Sequence, residues 1–305
     1  MEVSLIQGIL VGAVLSGTSV LYATLGEVLV ERAGIVNLGL EGVMLIGACL
    51  GFVSTSITGN VVIGVIVAAL AGGLLNLVFG FFVINQRANQ LASGLALMFL
   101  GLGLTGLIGK PFVGRMIQGI PDLPIPFLSN IPFLGKVLFQ YDILVYLVVP
   151  IAFLMWWVLY KSRWGLRVRS VGESVVASYA AGVNPSAFRY QALFIGGLLG
   201  GIGGAHISLA LTNTWVEGMT AGRGFIAVAL VIFSMWHPIR AIFGAFLFGG
   251  AVALQLQLQV QGISISPFLL DMLPYILTLV IVIVWGGSRK HNAPAMLGQV
   301  YEKSQ

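Results

Sequence analysis

The stretch NVVIGVIVAALAGGLLNLVFGFFV, residues 60–83, decides the fold class, because no charged side chain interrupts it. About 20 apolar residues in a helix cross the hydrocarbon core of a bilayer. The whole chain continues this pattern, with 58% hydrophobic and 8% charged residues among 305. A soluble domain carries roughly a quarter charged residues, so this chain has too few to cover a water-facing surface. The sequence therefore predicts an all-α polytopic membrane protein.

Nine apolar runs of this kind are separated by glycine, proline or charged residues, and each predicts a transmembrane helix. The amino terminus lacks the positive region of a signal peptide, so we expect the first run to be a retained helix. The chain then forms one transmembrane domain, 1–305. The predicted spans are 5–28, 39–57, 60–83, 91–109, 143–160, 188–212, 224–236, 239–257 and 268–286.

The basic residues predict the orientation, because loops rich in Lys and Arg stay in the cytoplasm. The segment 161–189 and the tail 287–305 are the basic stretches, and both are predicted to be cytoplasmic. Nine spans then place the amino terminus outside the cell. The proline-rich loop 110–142 also falls outside, and it departs from the rule by holding Lys110, Arg115 and Lys136. These features predict a multi-pass protein of the plasma membrane.

Ionisable residues are scarce inside the predicted spans. Glu27, Glu41, Arg223 and Asp271 are predicted to lie at or near span ends. Buried charges in a membrane mark proton relays and ion sites, so their scarcity argues against a proton-coupled carrier. His206 is the exception, because it lies deep in a glycine-rich span. It fits either a hydrogen-bonded residue between helices or a proton relay.

Motifs of soluble enzymes do not account for this chain. GLGLTG at 101–106 resembles a dinucleotide fingerprint but lies within a span, and the GK pair at 109–110 lacks the rest of a phosphate-binding loop. We find no catalytic triad, zinc-ligand set or pair of carboxylates, and Cys49 is the single cysteine. We therefore expect no catalytic residue, metal or cofactor in this chain. The loops hold no basic run dense enough for nucleic acid.

Glycine patterns predict close helix packing. Gly196, Gly200 and Gly204 recur every four residues and form a smooth stripe on one face of the sixth span. We interpret the glycines of 101–106 in the same way. Such stripes occur in every kind of membrane protein, so they predict packing and no particular function.

The cytoplasmic stretch GLRVRSVGESVVASYAAGVNPSAFRYQ, residues 165–191, is too long for a simple turn. Residues 173–181 are compatible with a short helix that Gly182 can end, and Asn184-Pro185 can start the next helix. A short helix between two membrane helices could receive force from a separate motor. A solvated basic loop that only fixes the topology explains the spacing equally well.

Two polar, glycine-containing helix starts face opposite sides of the predicted topology. ERAGIVNLGLEG at 31–42 lies inside, and VEGMTAGRGF at 216–225 lies outside, five spans later. Similar elements of opposite orientation predict an inverted repeat with broken helices along a midplane pathway. The alternative is the general accumulation of glycine and polar residues at span ends.

These motifs resemble one family. ERAGIVNLGLEGVMLIGA resembles the first signature of the branched-chain amino acid, ribose and simple-sugar family of ATP-driven (ABC) permeases. Residues 165–190 resemble the cytoplasmic coupling segment of that family, although Val175 and Val176 stand where more polar residues are typical. The stretch 217–259 is similar to the nucleoside (guanosine-type) branch. The likeness covers residues 20 to 285.

The resemblance implies a permease subunit of an importer that moves nucleosides inward, driven by ATP hydrolysis on a separate ATPase subunit. It also implies a second, different permease subunit and an extracytoplasmic substrate-binding lipoprotein. By position, the coupling residues would be Gly172, Glu173, Ala177, Gly182 and Asn184. The pathway residues would be Asn37, Glu41, Glu217, Thr220, Arg223 and Phe225, with Gly39, Gly42 and Gly222 at the same two helix starts.

The sequence does not decide which class of substrate the protein carries. A nucleoside path should offer apolar surface beside polar groups, and Phe225, Phe233 and Trp236 could supply it. Gln255, Gln257 and Gln259 spread over about 200° of a helix, so only one or two of them could face the path. The alternatives are a ribose-type sugar permease, an ATP-independent secondary carrier and an intramembrane enzyme.

Overall fold

The structure, a computed structural model, describes residues 2–260 and 293–299, with the single residues 269, 272, 276, 279, 280 and 283 between them. Helices dominate the described part, which contains two isolated β-bridges. Short π-helical turns extend α3 through Phe81–Asn85 and α9 through Ile207–Leu211. The α-helices are α1 Glu2–Arg32, α2 Leu40–Thr58, α3 Val61–Gly80, α4 Gln90–Gly109, α5 Leu134–Leu138, α6 Ile143–Lys161, α7 Arg163–Glu173, α8 Val175–Ala180, α9 Pro185–His206, α10 Arg223–Phe233 and α11 Pro238–Val260.

Seven of the described helices are long and apolar enough to cross a membrane: α1, α2, α3, α4, α6, α9 and α11. Together with the shorter α10 they match the first eight predicted spans within a few residues. The ninth predicted span, 268–286, lies outside the described residues. The largest difference is at the first span, which runs to Arg32 instead of 28. It continues because Glu27, Glu31 and Arg32 find polar partners inside the bundle.

The predicted glycine stripe is a packing surface of α9. Gly196 lies against Gly26 of α1, and Gly204 lies against the backbone of α2 at Met44. Gly201, one residue beyond the stripe, meets α3 at Ala68. Small residues let helix backbones approach closely in a membrane, where dispersion contacts replace the hydrophobic effect. α9 is therefore the central helix of the described bundle.

α1 and α11 run antiparallel and define the two ends of the bundle. Gly8 of α1 lies against Gln257, and Gly17 lies against Ala245. We call the end where α1 begins the upper end and the end where it finishes, at Arg32, the lower end. The loop 110–142 covers the upper end, where Ile120 N–H donates to the carbonyl of Leu209.

The lower end collects the segments that were predicted to be cytoplasmic. α7 and α8 lie there, with the buried Gly172 against the carbonyl of Arg32. The segment 293–299 joins them, because Met296 N–H donates to the carbonyl of Gly172 at 2.9 Å. The side chain of Gln90, at the start of α4, donates to the carbonyl of Gln299.

Candidate functional site at the α2–α10 junction

The chain turns back into the bundle after α1. The N–H of Asn37 donates to Oε1 of Glu27 at 2.9 Å, and its Nδ2 donates to Oδ1 of Asn76 on α3 at 2.8 Å. Glu27 lies about 7 Å above Arg32 along α1, at 1.5 Å per residue. α2 therefore begins inside the bundle instead of at its lower end.

A second segment turns back from the upper end. After the π-turn of α9, residues 212–222 lead to α10, whose first residue is Arg223. α10 has 11 residues, so it is about 16 Å long, roughly half of the hydrocarbon core. It finishes near the lower end, because Trp236 just beyond it accepts a hydrogen bond from Arg32. α10 is thus a half-helix that begins near mid-depth.

Glu41 joins the two helix starts. Its Oε1 accepts hydrogen bonds from the Thr220 hydroxyl at 2.6 Å and the Gly222 N–H at 2.8 Å. Its Oε2 accepts from the Gly224 N–H at 2.6 Å. We call Glu41, Thr220, Gly222 and Gly224 the clasp. Gly222 adopts φ +82°, which aims the first N–H groups of α10 at the carboxylate.

Hydrogen-bond donors and helix starts surround the Glu41 carboxylate. Glu41 lies in the first turn of α2 and also faces the first turn of α10. α10 directs the positive end of its dipole and the N–H groups of Gly222 and Gly224 toward it, and an acidic residue in the first turn of α2 is favourably placed for that helix's dipole. Glu41 is buried, and hydrogen bonds occupy both of its carboxylate oxygens. In this structure it holds two helices together instead of presenting a free charge.

A chain of amides fixes the first helix start from below. Asn76, the single amide of α3, donates through Nδ2 to the carbonyl of Leu193 on α9 at 3.0 Å. Oε1 of Gln90 accepts from the N–H of Val36 at 2.8 Å. Oε2 of Glu27 is buried and has no hydrogen-bond partner among the described residues. The polar network thus links α1, α3, α4 and α9 below the clasp.

The predicted pathway residues divide into two groups. Asn37, Glu41 and Thr220 are buried at the junction. Arg223 is partly buried beside them, whereas Glu217 and Phe225 are exposed. Glu41 and Thr220 thus share the clasp, Asn37 belongs to the polar network below it, and Glu217 and Phe225 lie outside both.

The other aromatic and amide candidates lie away from the clasp. Phe233 packs on Gly244 of α11, and Nε1 of Trp236 donates to Oε2 of Glu31 at 2.6 Å, at the lower end. Gln257 lies against Gly8 of α1, while Gln255 and Gln259 are partly buried.

His206 lies beside a carboxylate that we did not single out in the sequence. Its Nε2 is 3.6 Å from Oδ2 of Asp142, and both side chains are buried. Burial alone would raise the pKa of Asp142, but the His206 imidazole and the N–H groups of Val145 and Leu144 lower it below its usual value. The pair joins the start of α6 to α9, so His206 lies between helices, but neither of its ring nitrogens has a hydrogen-bond partner among the described residues.

The coupling segment has the helices that its turn residues predicted. α8 ends in a Schellman motif, with Gly182 at φ +76° and the N–H of Val183 donating to the carbonyl of Ser178. Asn184 caps α9 by accepting from the N–H of Ala187. Of the two unexpected valines, Val175 is buried and Val176 is 60% exposed.

The five predicted coupling residues lie at the lower end, and most face outward. Gly172 is buried beneath them, whereas Glu173, Ala177, Gly182 and Asn184 are exposed. Tyr179 is also exposed, at 74%. The exposed face of α8 therefore offers small and apolar groups outside the helix bundle.

Several residues of the network were missed in the sequence, and each had a weak signal. Asn76 is a lone amide in an otherwise apolar span. Asp142 stands directly before a span, where it caps α6 through the N–H of Leu144. Glu31 is the first residue of the motif at 31–42, and no separate role was predicted for it. Long-range partners give these residues their roles, and no local pattern predicts such partners.

Comparison with known proteins agrees with this architecture. A family profile described as "Branched-chain amino acid transport system / permease component" matches residues 8–283. A protein of Haloferax volcanii, provisionally named as a glucose ABC transporter permease protein, is 43% identical over 271 residues, 87% of this chain and 82% of its own.

Two further relatives cover essentially the full length. A nucleoside ABC transporter permease protein of Lactococcus lactis is 34% identical over 316 residues, 99% of each chain. A guanosine ABC transporter permease protein of Bacillus subtilis is 36% identical over 331 residues, 100% of each chain.

Proposed function

Because this chain belongs to the family of branched-chain amino acid transport system permease components, and is a multi-pass permease subunit, we propose that it moves nucleosides inward as part of an ABC importer. The observation that carries this proposal is the clasp, where two helices that start inside the bundle meet from opposite ends. Broken helices that meet at mid-depth are the usual architecture of a substrate path.

The nucleoside assignment rests on the relatives that match from end to end. The Lactococcus and Bacillus proteins are named for nucleosides and guanosine, and they cover 99% and 100% of this chain. The Haloferax relative has the higher identity, 43%, and is named for glucose. A simple-sugar permease is therefore the second candidate function.

We further propose that ATP is bound and hydrolysed on a partner ATPase that docks on the lower end. The exposed face of α8, with Val176, Ala177 and Tyr179, supports such a contact, because exposed apolar patches outside the bilayer indicate interaction sites. A second, different permease subunit and a substrate-binding lipoprotein complete the proposed importer. An ATP-independent secondary carrier would not need the α7–α8 segment.

A mechanical route connects the proposed docking face with the clasp. α6 leads directly into α7, and Tyr160 near its end accepts a hydrogen bond from Arg32 at 3.0 Å. Arg32 in turn donates to the carbonyl of Trp236, which follows α10. Closure of the ATPase would thus move α6, α10 and the clasp together, which gives alternating access around the junction.

The proposed topology has nine spans, with 161–189 and the tail in the cytoplasm and the amino terminus and 110–142 outside. Gln257 lies at the upper end and Met296 at the lower end, and a ninth span between them requires this arrangement. The directions of two helices support the inverted repeat. α1 and α9 run opposite ways, and each is followed by a turn-back and a helix that starts inside the bundle.

Uptake by the reconstituted importer tests the substrate. We expect labelled guanosine, adenosine and uridine to enter and to compete with one another, and ribose and glucose to compete poorly. Entry of a sugar without entry or competition by nucleosides would favour the second candidate. Uptake without any ATPase would contradict the importer proposal itself.

A further inference from the structure

A cavity of about 420 Å³ opens at the lower end, away from the clasp. This volume falls within the range of small-molecule sites, roughly 300–1,000 Å³. It lies where α1, α6, α7 and the turn between α10 and α11 meet. The lining residues are Arg32, Tyr160, Arg169, Glu173, Met235, His237, Arg240 and Ala293.

The walls of this cavity are basic. Arg32, Arg169 and Arg240 carry positive charges, and among the described lining residues Glu173 is the single acidic one. Burial lowers the pKa of His237, and the charges of Arg240 and Arg32 lower it further. The three arginines give the cavity a positive potential, and such a potential attracts an anion.

Aromatic and backbone contacts hold the arginines in place. The guanidinium of Arg169 lies 5.0 Å from the ring centroid of Tyr160, and its Nε donates to the carbonyl of Leu159. His237 stacks on the same ring at 5.3 Å between centroids. The two contacts of Arg169 are to neutral groups, so they position its side chain without cancelling its charge.

We propose that this cavity binds a phosphate group, carried by an anionic phospholipid headgroup or by a soluble phosphate. Guanidinium groups match phosphate oxygens in geometry, and basic pockets between membrane helices bind phospholipid headgroups. The bound anion bridges α7 to the α10–α11 turn, because Arg169 comes from the first and Arg240 from the second. It thereby stabilises the coupling segment against the half-helix.

Two matched variants of the full-length chain separate this site from general surface charge. Arg240 is exposed and donates to the sulfur of Met235, so Arg240→Gln removes a cavity charge with little cost to the fold. Arg167→Gln is the control, since Arg167 is also exposed and lies over Phe188, outside the cavity.

Native mass spectrometry of the purified chain in detergent, titrated with phosphatidylglycerol or phosphatidylcholine, measures binding of the lipid form. A parallel calorimetric titration with inorganic phosphate measures the soluble form. We expect Arg240→Gln to weaken binding about fivefold, the effect of one surface arginine, and Arg167→Gln to leave it unchanged.

The outcomes are distinct and need no transport activity. Preference for phosphatidylglycerol that Arg240→Gln reduces supports a lipid site. Binding of inorganic phosphate with the same sensitivity supports a soluble anion. Equal binding of both lipids without phosphate binding, or equal effects of the two variants, would overturn the proposal.

Discussion

Glu41 shows how a residue's role can depend on partners far along the chain. The sequence predicts it at a span end, within a glycine-containing helix start. The structure pairs it with Gly222, 181 residues away, through a 2.8 Å hydrogen bond. The residue type and its neighbourhood were predictable, because both helix starts are visible as motifs. Their meeting was not, because local spacing carries no information about it.

Replacing Glu41 with Gln should destabilise the junction. The amide offers one oxygen, so its nitrogen must face either the N–H of Gly224 or the N–H of Gly222, and neither group can accept a hydrogen bond. We expect a loss of about 2 kcal/mol, the cost of one charge-assisted hydrogen bond, and loss of uptake. Thermal unfolding of the purified chain measures the first effect.

Glu217→Gln is the matched control, because Glu217 belongs to the same segment and is exposed. It should unfold at the temperature of the wild type. Equal unfolding temperatures for all three proteins would refute the structural role of the clasp.

Lowering the pH should remove the contribution of Asp142 to the free energy of unfolding. Its pKa in the folded protein is lowered, so its stabilisation is present above the usual carboxylate value and is lost as the pH falls through the lowered pKa. Asp142→Asn keeps a side chain that can cap α6 but loses the charge beside His206. We expect it to unfold more easily at neutral pH, by roughly 1–3 kcal/mol.

The difference between Asp142→Asn and the wild type should close in acid. Unfolding midpoints of both proteins across a pH series measure this. A gap that stays constant from neutral to strongly acidic pH would exclude the ionised carboxylate as its source.

At the scale of elements, long apolar runs predicted the described helices well, because length and composition alone determine which segments can cross a bilayer. The glycine interpretation succeeded only in part. Gly101 of α4 does lie against Gly42 of α2, but no described residue comes within 4 Å of a Cβ added at Gly103 or Gly106. The interpretation of these two glycines as packing contacts therefore stays a prediction. A motif does not reveal which face of its helix meets a neighbour.

The end of α8 depends on the backbone of Gly182. Its φ is +76°, and an added Cβ would meet no atom of the described residues within 4 Å, so we expect the effect of substitution to be conformational. Gly182→Val should cost roughly 1–2 kcal/mol locally and unwind the Schellman turn. We expect membrane insertion to persist while uptake and substrate-stimulated ATP hydrolysis of the reconstituted importer fall together.

Gly182→Asn should preserve both activities, since asparagine tolerates this backbone conformation. If Gly182→Val abolished uptake while stimulated ATP hydrolysis stayed complete, the segment would belong to the substrate path and would not couple the ATPase to transport.

At the scale of the whole molecule, the lower end combines segments that are distant in sequence, and its orientation can be tested by labelling. Cys49 is the single cysteine and is buried, so the wild type should stay unlabelled. Phe127 and Tyr179 are 89% and 74% exposed at opposite ends. A membrane-impermeant thiol reagent on intact cells should label Phe127→Cys and spare Tyr179→Cys.

Inverted vesicles should give the reverse pattern. Labelling of Tyr179→Cys in intact cells would place α8 outside, and the proposed docking of an ATPase would fail with it. Charge counts in loops predict this orientation, but they cannot predict that 293–299 binds α7, because that contact depends on two backbone groups.

The hydrogen bonds of the clasp can form only late in biosynthesis, because their two sides are far apart in the sequence. A ribosome adds about 5–20 residues per second, so the 181 residues between Glu41 and Gly222 take on the order of 10 to 40 s to appear. During that interval the nascent chain carries a carboxylate at the start of α2 without the backbone groups that will later satisfy it. The first half of the protein therefore enters the membrane with an unfinished polar centre, which becomes complete only when α10 arrives.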